Sequence, residues 1–139
     1  LSLAIARGCD ARVLLLDEPL ANLDPVARRG VLVALADYAR ERDATVLVSS
    51  HLIGDVEGMF DRLVLMAAGT VVLADTIDSV TARASVEATT ADAPLGDLEV
   101  GRFLGRDGGL RRVVMGEEGD GTATLEDVVL AYMSRATRT

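Results

Sequence analysis

Residues 13–16 of this chain are all apolar, and polar side chains follow them at once. The run Val-Leu-Leu-Leu leads into Asp17, Glu18 and Pro19. Proline has no N–H to donate to a ladder, so it ends the strand that the apolar run predicts. A strand that is apolar at every position is typical of a parallel sheet covered by helices on both faces. The pattern therefore predicts a buried strand that delivers two carboxylates to the edge of the sheet where ligands bind in such folds.

A helix is predicted next. Asp24 followed by Pro25 is typical of a helix N-cap with proline in the first turn, and the helix should run to about Arg42. Four residues at i, i+3, i+4 and i+7 spacing are predicted to face the core. They are Leu32, Leu35, Ala36 and Ala39.

A second apolar strand is predicted at residues 45–49, Thr-Val-Leu-Val-Ser. The order strand, helix, strand predicts a right-handed parallel crossover, in which the two strands lie side by side and end at the same edge of the sheet. His51 follows the second strand by two residues. We therefore expect its imidazole to lie beside Asp17 and Glu18.

The middle of the chain carries patterns for a short helix, a hairpin and one further helix. The short helix is expected to reach about Phe60. Apolar runs on either side of a glycine-containing turn predict a hairpin of residues 62–66 and 71–74. Residues 75–85 predict the last helix of a first domain, which we assign to residues 1–85.

Residues 86–139 predict a small second domain. Two strands are expected at residues 98–104 and 110–115, and Thr124 with Asp127 predicts the start of a final helix by a capping box. The apolar stripe of that helix is predicted at Leu125, Val128, Val129, Tyr132 and Met133.

Composition and charge narrow the possible partners. The chain has 139 residues, is 50% hydrophobic and carries a formal charge of −8 without a basic block, so we expect no direct contact with nucleic acid. One cysteine rules out an internal disulfide, and neither a signal peptide nor a membrane-length apolar run is present. These features predict a cytoplasmic setting without direct insertion into a membrane.

The paired carboxylates indicate phosphate chemistry. Asp17 can hold Mg²⁺ directly or through water, and Glu18 can take a proton from a positioned water molecule. The alternative is a strand end with two solvated acids that open a loop. For Asp24 the alternative is a simple helix start, and for His51 it is an ordinary surface histidine.

Three motifs together resemble the ABC (ATP-binding cassette) ATPases. Leu-Leu-Leu-Asp-Glu-Pro at residues 14–19 is similar to the Walker B segment of that family. Leu-Ala-Asn-Leu-Asp-Pro at residues 20–25 is similar to its D-loop, and His51 in Val-Ser-Ser-His-Leu is similar to its switch histidine. The C-terminal helix with its Thr-Leu-Glu-Asp start is similar to that of ABC-2-type and drug-export ATPases.

The resemblance implies a role for each matching residue. Asp17 would bind the Mg²⁺ of ATP, Glu18 would be the general base, and His51 would contact the γ-phosphate. Asn22 and Asp24 would take part in nucleotide binding by linking two ATP sites across a dimer interface. ATP and Mg²⁺ are thus the implied cofactors.

The resemblance also implies an α/β fold with a P-loop NTPase-like parallel sheet and flanking helices. All 14 basic residues are arginine, so the lysine that a P-loop needs is missing from this sequence. We interpret the chain as the C-terminal part of the domain, without the Walker A, Q-loop and signature motifs, followed by a small α+β appendage. Alone, it is expected to have no ATPase activity.

In function, the resemblance implies the ATP-hydrolysing subunit of an ABC transporter that energises export. Its partners would be transmembrane permease subunits, which select the cargo, and a second ATPase subunit, giving a homodimer on the inner face of the cell membrane. Two alternatives remain open: a non-catalytic interaction module with the same fold, and an ABC ATPase that works without a permease.

Overall fold

The computed structural model describes residues 10–56, 58–117, 119–120 and 122–136. The chain forms two compact units that divide between Met59 and Phe60. The first unit carries the predicted site residues, and the second contains the C-terminal helix. The domain boundary predicted after residue 85 lies inside the second unit and remains a prediction about the division between ATPase and appendage.

The first unit is a parallel strand pair with one long helix. Strand β1 is Val13–Leu16, helix α1 is Pro25–Arg42, strand β2 is Thr45–Val48 and the short helix α2 is Ile53–Val56. The strands pair in parallel, with Val13 opposite Thr45 and Leu16 opposite Val48. This confirms the predicted strand–helix–strand order and the parallel pairing, whereas the larger P-loop NTPase-like sheet remains a prediction. Helix α2 is shorter than expected and does not reach Phe60.

Helix α1 covers one face of the strand pair. Its residues Leu35 and Tyr38 pack with Leu14, and the Tyr38 hydroxyl donates a hydrogen bond to the carbonyl oxygen of Ala11 over 2.8 Å. Ala36, predicted to face the core, is exposed, and Tyr38 takes the buried position. The helix ends at Asp43, whose left-handed backbone closes the last turn.

The prediction that β1 is buried on both faces is wrong for the described residues. Leu14 is 5% exposed, but Leu15 on the opposite face is 72% exposed, and Val13 and Leu47 are also exposed. Side chains alternate between the two faces of a strand, so a single covering helix buries only every second residue. The other apolar face of the pair lies open among the residues that the structure describes.

The second unit contains a hairpin and a three-stranded antiparallel sheet. The hairpin strands β3 and β4 are Arg62–Ala67 and Thr70–Thr76, as predicted within one or two residues. Helix α3, Ile77–Arg83, is followed directly by strand β5, Ala84–Ala88. The predicted helix over residues 75–85 is therefore too long, because Ala84 and Ser85 pair as a strand with Met115 and Val114.

The remaining predicted elements are present. Strands β6 and β7 are Glu99–Leu104 and Leu110–Met115, and helix α4 is Leu125–Ala136. The strand order is β5-β7-β6. Thr124 and Asp127 form the predicted capping box, in which each side chain accepts the backbone N–H of the other residue.

Helix α4 packs on this sheet with Val128 and Ala131 fully buried, whereas Met133, predicted to lie in the apolar stripe, is 43% exposed. The helix lies so close to β6 that a Cβ at Gly101 would overlap the carbonyl oxygen of Ala131. Over the described ranges, none of the helices is both long enough and apolar enough to cross a membrane.

Candidate functional site

The ends of β1 and β2 are held together beyond the last paired residues. The Ser49 N–H donates to the carbonyl oxygen of Leu16 over 2.9 Å, which extends the ladder by one bond. Asp17 and Glu18 therefore leave β1 at the same edge where Ser49, Ser50 and His51 leave β2. This is the carboxyl edge of a parallel pair, the position at which open α/β sheets bind ligands.

Glu18 and His51 are in direct contact at this edge. The Nδ1 atom of His51 lies 2.9 Å from Oε1 of Glu18, so the predicted juxtaposition is present. Because an ionised carboxylate only accepts hydrogen bonds, Nδ1 carries the proton when Glu18 is ionised, and Nε2 of a neutral ring is then an acceptor. The side chains are 69% and 38% exposed, so a ligand arriving from solvent can reach both.

Asp17 is held by a residue that the sequence did not single out. The hydroxyl of Ser49 donates to Oδ1 of Asp17 over 2.6 Å and accepts the Glu18 N–H over 2.7 Å. Ser49 was predicted only as the last residue of a strand. The strand register was the available signal. Parallel pairing with Leu16 opposite Val48 places Ser49 beside Asp17, the residue that follows β1.

The backbone turns sharply at Glu18, a predicted catalytic residue, and at Asn22, a predicted nucleotide-linking residue. Glu18 has φ of 42° and Asn22 has φ of 62°, in the left-handed region that residues with a Cβ seldom adopt. The Ala21 N–H closes the first turn onto the Glu18 carbonyl oxygen over 3.0 Å. Proline at position 19 and these turns end β1 and carry the chain to the start of α1.

Asp24 is the N-cap of α1, as predicted. Its Oδ1 accepts the N–H groups of Val26 and Ala27, each over 2.9 Å. Asn22 is exposed at the loop before it. In the described part of the chain no hydrogen bond joins Asn22 or Asp24 to Asp17, Glu18 or His51, so the nucleotide-linking role of these two residues remains a proposal.

Replacing Asp24 by alanine is expected to lower the free energy of unfolding by about 1 kcal/mol, because two N–H groups of α1 lose their acceptor. Asp24→Asn should retain nearly all of the stability, since its amide oxygen can cap the helix. Urea unfolding of the two variants checks this. Equal stability of Asp24→Ala and the parent chain would show that the cap contributes little.

The donor set at this edge suits Mg²⁺ in one respect. Asp17 and Ser49 offer hard oxygen atoms, and Mg²⁺ in phosphate-cleaving sites is usually held by one or two carboxylates together with phosphate oxygens. The structure brings no three His, Cys, Asp or Glu side chains together as a metal site within its described ranges. Asp17 is thus a residue that could hold a Mg²⁺ ion together with phosphate oxygens of a nucleotide.

No protein-family model matches the sequence, but curated proteins do. The phosphate import ATP-binding protein PstB of Aeropyrum pernix is 39% identical over 72 residues, which are 52% of this chain and 28% of that protein. The molybdenum import ATP-binding protein ModC of Rhodospirillum rubrum is 34% identical over 96 residues, which are 69% of this chain and 26% of that protein.

The ABC transporter ATP-binding protein YtrB of Bacillus subtilis is 38% identical over 63 residues, covering 45% of this chain and 22% of that protein. The chain thus spans about a quarter of the length of these three relatives. All three names describe ATP binding in transport, and the names of PstB and ModC give different cargoes, phosphate and molybdenum. The three motifs, the parallel strand pair that joins two of them, and these similarities support one interpretation: the chain is similar to part of the ABC transporter ATP-binding proteins.

Proposed function

We propose that this chain supplies the water-activating part of an ATP-hydrolysing site in the ATP-binding subunit of an ABC transporter. The observation that carries the proposal is the 2.9 Å contact between Glu18 and His51 at the strand ends, with Asp17 directly adjacent. A carboxylate base, an imidazole and a metal-binding carboxylate are groups that can promote hydrolysis of a phosphoanhydride by water.

Asp17 is the proposed ligand of Mg²⁺. The ion, when bound with ATP, neutralises charge that develops on the phosphate oxygens. Asp17 directly follows β1, which packs against α1, so its carboxylate extends from a rigid element. Ser49 occupies Oδ1, and among the described residues no hydrogen bond engages Oδ2, which is therefore the oxygen that can face the metal or its water.

Glu18 is the proposed general base, which orients the attacking water and accepts its proton. His51 holds one carboxylate oxygen of Glu18 through Nδ1. A neutral ring can accept a hydrogen bond from a water molecule through Nε2, and a protonated ring can donate from Nε2 to the γ-phosphate. The pair thus places the base and the phosphate contact on a single hydrogen-bonded unit.

Further parts of the proposal rest on the family. A second ATPase subunit, giving a homodimer, would meet Asn22 and Asp24, and transmembrane permease subunits would receive the movement that ATP drives. The subunit would lie on the cytoplasmic face of the membrane. Export is proposed from the likeness of helix α4 to ABC-2-type ATPases, although the names of PstB and ModC describe import by those proteins.

Replacing His51 by alanine tests the proposed function. In a complete ATP-binding subunit that carries this chain, we expect the hydrolysis rate to fall about 10²-fold, the size typical for loss of one donor to developing charge. Release of phosphate at saturating MgATP is the measurement. Ser50→Ala is the matched control, because the Ser50 hydroxyl accepts the Leu52 N–H over 3.1 Å and, in the described part of the chain, no hydrogen bond joins it to either carboxylate. Unchanged hydrolysis in His51→Ala would refute the proposed role.

A further inference from the structure

Ser49 contacts three consecutive residues at the end of β1. Its N–H donates to the Leu16 carbonyl oxygen over 2.9 Å, its hydroxyl donates to Oδ1 of Asp17 over 2.6 Å, and the same hydroxyl accepts the Glu18 N–H over 2.7 Å. These are three bonds from the one residue that directly follows β2. They connect both proposed functional carboxylate residues to the neighbouring strand.

The direction of the two hydroxyl bonds is fixed by chemistry. The Glu18 N–H can only donate, so the Ser49 oxygen must accept from it. The single hydroxyl proton is then directed at Asp17, whose ionised carboxylate can only accept. The Ser49 hydroxyl therefore uses its proton for Asp17 and a lone pair for the Glu18 N–H, so the two bonds do not compete.

The bond to the Glu18 N–H supports an unusual backbone conformation. Glu18 has φ of 42°, which for a residue with a Cβ is unfavourable by about 1 kcal/mol or more and persists only where neighbouring contacts hold it. The Glu18 N–H has left the β ladder at this point, and the Ser49 hydroxyl takes the place of a carbonyl oxygen of β2. The contact thus fixes the direction in which the Glu18 side chain leaves the strand.

We propose that Ser49 is a positioning residue, which sets the orientation of Asp17 and Glu18 through one hydroxyl group. Its effect on hydrolysis rests on the proposed function, whereas its effect on the backbone of Glu18 does not. Ser49 holds Oδ1 of Asp17 and so leaves Oδ2 for the metal, and it holds the Glu18 N–H so that the carboxylate of Glu18 reaches His51.

The backbone part is tested on the 139-residue chain by amide hydrogen exchange, read at the Glu18 N–H by NMR. Ser49→Ala should speed exchange there about tenfold, the loss expected for one hydrogen bond. Ser49→Thr, which keeps the hydroxyl, should exchange like the parent chain, whereas Ser49→Val, which has nearly the same shape without a hydroxyl, should exchange like Ser49→Ala. Equal exchange in the threonine and valine variants would overturn the proposal.

The catalytic part is tested in a complete subunit with MgATP. Loss of a group that orients a metal ligand typically reduces activity 10- to 100-fold, and we expect Ser49→Val to reduce kcat by that factor with KM for ATP nearly unchanged, while Ser49→Thr stays close to the parent. Equal kcat values for these two variants would overturn the catalytic part. If Glu18→Gln also hydrolysed ATP normally, the proposed function would fail instead, and the exchange result on the chain would still decide the backbone role of Ser49.

Discussion

A Glu18→Gln variant of a complete subunit is expected to bind ATP with unchanged affinity and to hydrolyse it about 10²–10⁴-fold more slowly. Glutamine keeps the shape of the side chain and can still accept a hydrogen bond from Nδ1 of His51. It cannot take a proton from water, so the loss appears in kcat alone. Phosphate release and equilibrium binding of ATP, measured on the same preparation, check the two halves of this prediction.

Glu41→Gln is the matched control. Glu41 is exposed on α1, in the same unit of the chain, and the charge change is identical. Its hydrolysis rate should stay within a factor of two of the parent, since substitutions at the exposed surface rarely act beyond their surroundings. A Glu18→Gln variant that hydrolyses ATP as fast as Glu41→Gln would contradict the assignment of the general base.

The second large effect is expected at Arg102. Replacing Arg102 by methionine should lower the free energy of unfolding of the second unit by about 3–5 kcal/mol, because it leaves the buried Glu99 carboxylate without its main partner. The Glu99 side chain is 1% exposed, and Nε of Arg102 lies 2.6 Å from its Oε1. The guanidinium group also donates to four backbone carbonyl oxygens, so the loop before β6 loses its anchor. The acceptors are Thr90, Ala91, Ala93 and Pro94.

Arg106→Met is the control for this loss. Its guanidinium pairs with Glu126 over 2.7 Å but is 91% exposed, and ion pairs in solvent contribute only about 0–1 kcal/mol. Unfolding in urea at neutral pH should therefore separate the two variants clearly. An equal loss of unfolding free energy in Arg102→Met and Arg106→Met would show that the buried Arg102–Glu99 ion pair stabilises the fold no more than an exposed one.

The pH dependence of the same pair has a defined sign. The hydrogen bond from Arg102 lowers the pKa of Glu99 below its usual value of 4.5. A lowered pKa gives stability that is present above the unfolded value and is lost as pH falls through the folded value. In Arg102→Met this contribution is removed, so the difference in stability between parent and variant should narrow as pH is lowered below about 4.5.

Much of the candidate site could be predicted because it depends on chain order. Strand, helix and strand in sequence dictate parallel pairing, and parallel pairing brings the residues after both strands to one edge. The contact between Glu18 and His51 follows from that rule. The capping role of Asp24 could also be predicted, since an N-cap before proline is a local pattern that needs no tertiary information.

Other features depend on contacts that a linear pattern does not contain. Apolar residues at every position of β1 predicted cover on both faces, but the cover depends on which segments are present, and α1 reaches only the Leu14 side. Strand β5 was missed because its residues pair with residues of β7 that are 23 to 31 positions away, from Ala88 with Arg111 to Ala84 with Met115. The side-chain partners of Ser49 lie 31 and 32 positions away, and the backbone acceptors of Arg102 lie 8 to 12 positions away, so both sets become neighbours only in the fold.

The most direct measurement is a crystal structure of a complete subunit carrying Glu18→Gln with MgATP bound. We expect Mg²⁺ to contact Asp17 directly or through one water, and Nε2 of His51 to lie within about 3.2 Å of a γ-phosphate oxygen. A nucleotide whose metal and γ-phosphate both lie beyond hydrogen-bonding reach of Asp17 and His51 would contradict it.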